Sequence, residues 1–149
     1  MISLKECEPG YCCAITTLCT VLGCPPKTVG RMLKQVVWDD RKEDIQVIRS
    51  DYAQGDWLKG FERMGVKLVT VLQAGRKNRE NIKQTVSALN NGRLYVIYCE
   101  LSDPREPTHV FATQSGKVVD TWTNGKVVDV NDLPNAFPAY EVETIYEAQ

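Results

Sequence analysis

The chain has 149 residues, of which 43% are hydrophobic and 25% are charged, as is usual for one globular domain. Its 18 basic and 19 acidic residues leave a net charge of −1, which argues against a domain that binds nucleic acid by neutralising phosphates. The sequence has no apolar run of roughly 18 residues and no signal-peptide pattern at its start. We therefore predict one cytoplasmic domain over residues 1–149 that binds neither membrane nor nucleic acid.

The first part of the chain has the periodicity of helices. A short helix is predicted over 12–23, where apolar residues recur at i, i+3, i+4 and i+7 and Gly23 ends the pattern. Further elements are then expected in this order: a helix from about Pro26, a charged connection at 38–51, a helix at 53–64, a strand at 66–72 and a helix at 78–90.

The pattern changes to that of β-strands after Gly92. Strands are predicted at 94–99, 109–113, 117–121, 126–130 and 142–146. Helices followed by a run of strands indicate an α+β fold, with a helical part at about 1–92 and an antiparallel β part at about 93–149. We expect the helix at 12–23 to pack on the sheet that contains the first three of these strands.

The chain has an unusual set of six cysteines, which are Cys7, Cys12, Cys13, Cys19, Cys24 and Cys99. Because the sequence has no export signal, we predict free thiols rather than a disulfide framework. The cysteine spacings lack the paired C-x2-C pattern of structural zinc sites, and His109 is the only histidine. We therefore predict neither a metal nor a cofactor.

Cys13 is the candidate nucleophile among these cysteines. It falls in the first turn of the predicted helix, where unpaired N–H groups and the helix dipole favour a thiolate. The helical phase places Cys12 at the edge of the buried stripe. The same phase turns Cys13 toward a cleft, on the side of Thr16, Thr17 and Thr20. The alternative is that both cysteines are small core residues.

His109 and Asp120 form the second candidate pair. A hairpin turn at Ser115-Gly116 would place the two residues on adjacent antiparallel strands. Asp120 can then accept the Nδ1–H of the imidazole and hold its tautomer. Trp122 is positioned to wall the pair off from water. The alternative is an ordinary strand histidine beside an ordinary aspartate.

An early cysteine followed by a distant histidine and aspartate is typical of a thiol hydrolase. In this respect the sequence resembles the papain-like cysteine peptidase superfamily, and within it the small bacteriophage-type members and the double-glycine-leader peptidases. The matching segments are CAITTLCTVLG at 13–23 with Pro25, the Asn91-Gly92 helix end before LYVIYC, and HVFATQSGKVVDTW from His109 onward.

The resemblance implies a papain-like fold and cleavage of a peptide or isopeptide bond in a peptide or protein substrate. Cys13 would be the nucleophile that forms the acyl-enzyme. His109 would take the proton of the thiol and later protonate the leaving group, and Asp120 would orient His109.

One element of the superfamily pattern is missing. The superfamily usually has a glutamine about six residues before the nucleophile, which binds the oxyanion. Here Cys7 holds that place and Glu8 follows it, while Glu6 lies six residues before Cys12. Because a carboxylate repels an oxyanion, the donor would be a backbone N–H such as that of Cys13, or the side chain of Gln114.

Several alternatives remain open from the sequence. Cys12 could replace Cys13 as the nucleophile, and Asp129 or Asp132 could replace Asp120. The fold could also serve as a catalytically silent binding or virion-associated module. A redox or zinc protein built on the cysteine cluster is a further possibility.

Overall fold

A computed structural model of the chain describes residues 2–11, 13–29, 54–73, 81–101, 108–133 and 140–149. The predicted charged connection at 38–51 and most of the helix expected from Pro26 lie outside these residues, although residues 26–29 are helical. Cys12 lies outside them as well, so its competition with Cys13 stays a sequence hypothesis. Within the described parts of the chain, no helix is long and apolar enough to cross a membrane.

The fold is α+β, and besides the helical residues 26–29 the described residues form the helices α1 to α3 and a six-stranded sheet. The helices are α1 (Cys13–Leu22), α2 (Gln54–Arg63) and α3 (Ile82–Ala88). The strands are β1 (Leu68–Gln73), β2 (Leu94–Leu101), β3 (Thr108–Gln114), β4 (Lys117–Val119), β5 (Val128–Asp129) and β6 (Tyr140–Ala148). They lie in the order β1-β6-β2-β3-β4-β5, and every neighbouring pair is antiparallel.

The sheet differs from the sequence prediction in its last two strands. β6 is longer than the predicted 142–146 and lies inside the sheet, between β1 and β2. Through this pairing β1, which belongs to the first half of the chain, joins a sheet that was expected only from about residue 93. β5 is shorter than the predicted 126–130 because the Asp129 carboxylate accepts the N–H of Asn131, at 2.9 Å, and starts a 3-10 turn over Val130–Asp132.

Each face of the sheet is covered by a separate group of apolar residues. Val96, Val110 and Ala112 belong to the cluster that contains Ile15 and Leu18 of α1. Their neighbours along the strands point the other way, as the alternation of β-strands requires. Ile97, Cys99 and Phe111 therefore face the other side of the sheet. They belong to a second cluster, which also contains residues of α3 and of the 3-10 turn. The predicted packing of the first helix on the sheet is therefore confirmed.

α1 is buried on more sides than its apolar stripe predicts. Thr16, Thr17 and Thr20, which mark the side of the helix on which Cys13 was expected to face a cleft, are all buried, whereas Cys13 is partly exposed. The N-terminal segment (residues 2–8) covers this side of the helix, where the Lys5 N–H donates to the Thr20 carbonyl at 3.0 Å. The Thr17 hydroxyl lies 3.2 Å from the Val110 carbonyl of β3. Short threonine side chains can satisfy their hydroxyls on backbone carbonyls in this way, and burial then carries little cost.

Candidate active site

The candidate site lies at the end of β3 that extends beyond β4. The β3–β4 pairing runs only from Gln114↔Lys117 to Ala112↔Val119, so the predicted strand at 117–121 is two residues too long. After Val119 the chain leaves the sheet in a turn at residues 120–125. The space beside the first residues of β3 is thereby open to side chains of this turn and of the α1 N-terminus.

Asp120 forms a close pair with His109 at this point. The imidazole Nε2 lies 2.9 Å from Oδ1 and 2.8 Å from Oδ2 of the carboxylate. Both residues are buried, since 6% of His109 and 0% of Asp120 is exposed. The prediction that Asp120 accepts the Nδ1–H is therefore wrong. The turn carrying Asp120 reaches the far side of the ring, which the order of residues along the chain does not reveal.

The pair changes the proton affinity of the imidazole. Burial alone would lower the pKa of His109, but the charge and the hydrogen bond of Asp120, together with a hydrogen bond to the Cys13 side chain, outweigh burial. As a result the pKa of His109 rises from 6.5 to about 10. The ring is therefore an imidazolium at neutral pH, and its charge lies in contact with the buried carboxylate.

Cys13 is the third group at the site. It is the first residue of α1, is partly exposed, and its side chain lies close enough to the His109 ring to help raise the pKa of the imidazole. Because Nε2 is occupied by both oxygens of Asp120, Nδ1 is the ring nitrogen that remains for the sulfur. Cys13 and Asp120 thus lie on either side of the His109 imidazole, as three residues of one site.

Aromatic rings cover the imidazole. Trp122 stacks on His109 with ring centroids 4.2 Å apart and an interplanar angle of 21°. Phe111 lies further away, at 6.3 Å and 25°. An aromatic face near a cation adds electrostatic attraction and excludes water, so the stacking also favours the imidazolium. This is the place that the sequence argument assigned to Trp122.

The sequence hypothesis for a side-chain oxyanion donor is wrong for Gln114. Its Oε1 accepts the Leu4 N–H at 2.8 Å, and its Nε2 donates to the Gly92 carbonyl at 2.9 Å. Gln114 also lies at the opposite end of β3, about 17 Å along the strand from His109. The glutamine therefore anchors the N-terminal segment. The N–H of Cys13 stays a candidate donor, because the first N–H groups of a helix have no intrahelical acceptor.

The carboxylate of Glu6 also points elsewhere. Its Oε2 accepts the Val127 N–H at 2.9 Å, and Lys126 Nζ lies 3.9 Å from Oε1. The adjacent Cys7 donates its N–H to the Gly125 carbonyl at 2.9 Å. A Cβ on Gly125 would lie 2.1 Å from the Cys7 carbonyl oxygen, so only glycine allows the N-terminal segment to cross this turn. Asn124-Gly125 is a common turn sequence, but the local pattern does not reveal this crossing.

The other described cysteines are less suited to act as nucleophiles. Cys7, Cys13, Cys19, Cys24 and Cys99 are all free thiols, and Cys19 and Cys99 are buried. Burial, reinforced by the Asp120 charge, raises the pKa of Cys99 well above its usual value. Burial followed by the charge of Asp120 also raises the pKa of Cys7. Among the described side chains, no group of three or more potential metal ligands converges.

Searches for related proteins leave the functional assignment to the geometry. No family model matches the sequence, and the search of curated proteins likewise found no match. What the described residues define is an α+β protein with a thiol, an imidazole and a carboxylate in contact at one end of a strand.

Proposed function

We propose that this protein is a cysteine-dependent hydrolase of the papain-like type, which cleaves a peptide or isopeptide bond through an acyl-enzyme. The observation that carries the proposal is the position of His109, which contacts the Cys13 side chain and the buried Asp120 carboxylate at once. The order of elements also supports it, because a helix that begins at the cysteine precedes a sheet that supplies the histidine.

The chemistry begins with the proton shared by Cys13 and His109. In the reactive form the imidazole holds this proton and Cys13 is a thiolate, and the charge of Asp120 stabilises the imidazolium. The thiolate attacks the substrate carbonyl carbon and forms a C–S bond, which gives a tetrahedral oxyanion. Collapse of this intermediate breaks the C–N bond, and the imidazolium transfers its proton to the leaving nitrogen.

The second half of the reaction uses the neutral imidazole. His109 removes a proton from a water molecule, whose oxygen attacks the thioester carbonyl. The thiolate then leaves, and the imidazolium–thiolate pair is restored with release of a carboxylic acid. Donation from the Cys13 N–H is suited to stabilise the oxyanion in both halves, because a helix N-terminus presents N–H groups without partners.

A catalytically silent binding module is the second candidate function. It is favoured by the absence of a side-chain oxyanion donor among the residues proposed for that role. Gln114 anchors the N-terminal segment, and the position six residues before Cys13 holds the half-buried Cys7. Removing one oxyanion donor lowers the rate by roughly 10²–10³. Without a side-chain donor the protein would therefore be a slow enzyme or an inactive binding module.

Thiol reactivity and peptide cleavage together test the proposal. We expect iodoacetamide at about pH 6 to modify Cys13 first, as measured by peptide mapping over time. Cleavage of a proteome-derived peptide mixture, followed by mass spectrometry, should be abolished in Cys13→Ala and kept in Cys24→Ala, which removes another partly exposed thiol. Identical cleavage by Cys13→Ala and the parent would reject the hydrolase. Fast Cys13 labelling without any cleavage would instead support the binding module.

A further inference from the structure

A buried threonine hydroxyl lies inside the turn that carries Asp120. β4 ends at Val119, so the Asp120 N–H has no strand partner and donates instead to Thr123 Oγ1 at 3.0 Å. The same hydroxyl oxygen lies 2.6 Å from the Lys126 carbonyl and 3.0 Å from the Asp120 carbonyl. Only 8% of Thr123 is exposed, so water is a poor substitute for these contacts.

The Thr123 hydroxyl can donate to only one of these two carbonyls. A threonine hydroxyl has one proton, and the Lys126 carbonyl is the nearer acceptor. The Asp120 carbonyl already accepts the N–H groups of Thr123 and Gly125, at 3.2 and 3.0 Å. Thr123 therefore accepts at the start of the turn and donates at its end, which links Asp120 to Lys126 through one side chain.

We infer that Thr123 is a positioning residue for the proposed reaction, because its hydroxyl sets the direction in which the Asp120 backbone presents the carboxylate to His109. The inference rests on the proposed function for its catalytic meaning. Thr123 itself contacts neither the imidazole nor the sulfur in the bonds described above, and it acts through the Asp120 amide.

The backbone hydrogen bonds of the turn do not by themselves fix the orientation of the Asp120 backbone. The N–H groups of Thr123, Gly125 and Lys126 each bond to a carbonyl within residues 120–126, so a variant without the hydroxyl keeps the turn. The Asp120 N–H, however, would lose its acceptor in a buried place, and the adjacent backbone would rotate to find another. Because the carboxylate is attached to the same residue, such a rotation moves both oxygens away from Nε2.

Three substitutions isolate the hydroxyl. Thr123→Val removes it at nearly constant shape, and Thr123→Ser keeps it. Thr113→Val is the matched control, because Thr113 is also buried in the β3–β4 hairpin and donates to a backbone carbonyl, that of Lys117, at 2.7 Å. Thr113 pairs with Val118 and takes part in none of the hydrogen bonds described for Asp120 and His109, so its loss should affect stability and leave the pair in place.

The readout is the titration of His109 by NMR, which needs no assignment because the chain has one histidine. The parent midpoint is expected near the raised pKa of about 10. Thr123→Val should lower the proton affinity about tenfold, which is a shift of about one pH unit. Thr123→Ser and Thr113→Val should titrate like the parent.

The outcomes separate the inference from the proposed function. An unchanged midpoint in Thr123→Val, or an equal shift in Thr113→Val, would overturn the positioning role, because the titration reports on the Asp120–His109 contact without any turnover. Rescue by Thr123→Ser together with slower Cys13 alkylation in Thr123→Val would support it. Absence of cleavage in the parent, with the shift still present, would count against the hydrolase and not against the role of Thr123.

Discussion

The two ends of β3 use polar side chains in similar ways but differ in chemistry. At one end, Gln114 accepts the Leu4 N–H of the N-terminal segment and donates to the Gly92 carbonyl before β2. At the other end, His109 holds Asp120 through contacts of 2.9 and 2.8 Å. A neutral amide keeps one charge state at every pH, whereas the imidazole exchanges a proton and contacts a thiol. Long-range polar contacts alone therefore do not mark a site; a titratable group beside a nucleophile does.

The largest expected difference between the two ends is in thiol reactivity. His109→Ala should slow the labelling of Cys13 by iodoacetamide at about pH 6 by roughly a hundredfold, because the positive partner of the thiolate is lost. Gln114→Ala should leave the rate unchanged. Peptide-resolved mass spectrometry measures the rates, and the unfolding midpoint of each variant verifies the fold. Equal labelling of Cys13 in the parent and in His109→Ala would show that no functional pair exists.

Asp120→Asn should have a smaller effect in the same direction. The amide keeps the shape of the side chain but removes the charge that stabilises the imidazolium, so Cys13 labelling should slow by about tenfold. Asp129→Asn is the matched control, because this carboxylate caps the 3-10 turn. A larger loss from Asp129→Asn would transfer the orienting role to Asp129, the alternative left open by the sequence.

The His109 end should also make stability depend on pH. The folded pKa of about 10 exceeds the usual 6.5, so the folded state keeps a proton that the unfolded state releases. The resulting stabilisation is complete below pH 6.5 and is lost as pH rises toward 10. Between about pH 6.5 and 8.5, the free energy of unfolding should fall with a slope approaching about 1.4 kcal/mol per pH unit.

Urea denaturation across this window measures the slope. His109→Gln should remove the slope. Gln114→Ala should lower the free energy of unfolding by the same amount at every pH and leave the slope unchanged. Above about pH 8.5 the free thiols of the unfolded chain begin to titrate. Burial raises the pKa of both Cys7 and Cys99 in the folded protein, so their loss of stability adds to that of His109 there. A slope that persists in His109→Gln would contradict the assignment to this pair.

The smallest effect is expected at the Gln114 end. Gln114→Ala removes the hydrogen bond to Leu4 of the N-terminal segment and the one to the Gly92 carbonyl, so stability should fall by about 1–2 kcal/mol. Thermal or urea unfolding measures the loss, and Cys13 labelling should stay at the parent rate. A parallel loss of reactivity would show that the N-terminal segment also controls the position of α1.

Much of the fold was predictable from local pattern. The strands at 94–99 and 109–113 were predicted within two residues of their observed ends, because short runs of β-branched and aromatic residues are typical of a buried strand. The helix at 78–90 was predicted to start too early. The described part of α3 begins at Ile82, where the Asn81 side chain accepts the Gln84 N–H at 2.9 Å. A capping asparagine is a local signal, but several asparagines here offered the same role.

The sequence by itself determined the α+β class and the three residues that meet at the site, because periodicity, turn residues and residue chemistry are local properties. Only the tertiary structure decided how these residues meet. Asp120 binds Nε2 rather than Nδ1, Gln114 anchors the N-terminal segment, and Thr20 of α1 lies beneath that segment. Each outcome depends on which distant segment fills the space beside a side chain. The free energy of filling that space is set by packing of the whole chain and not by neighbours in sequence.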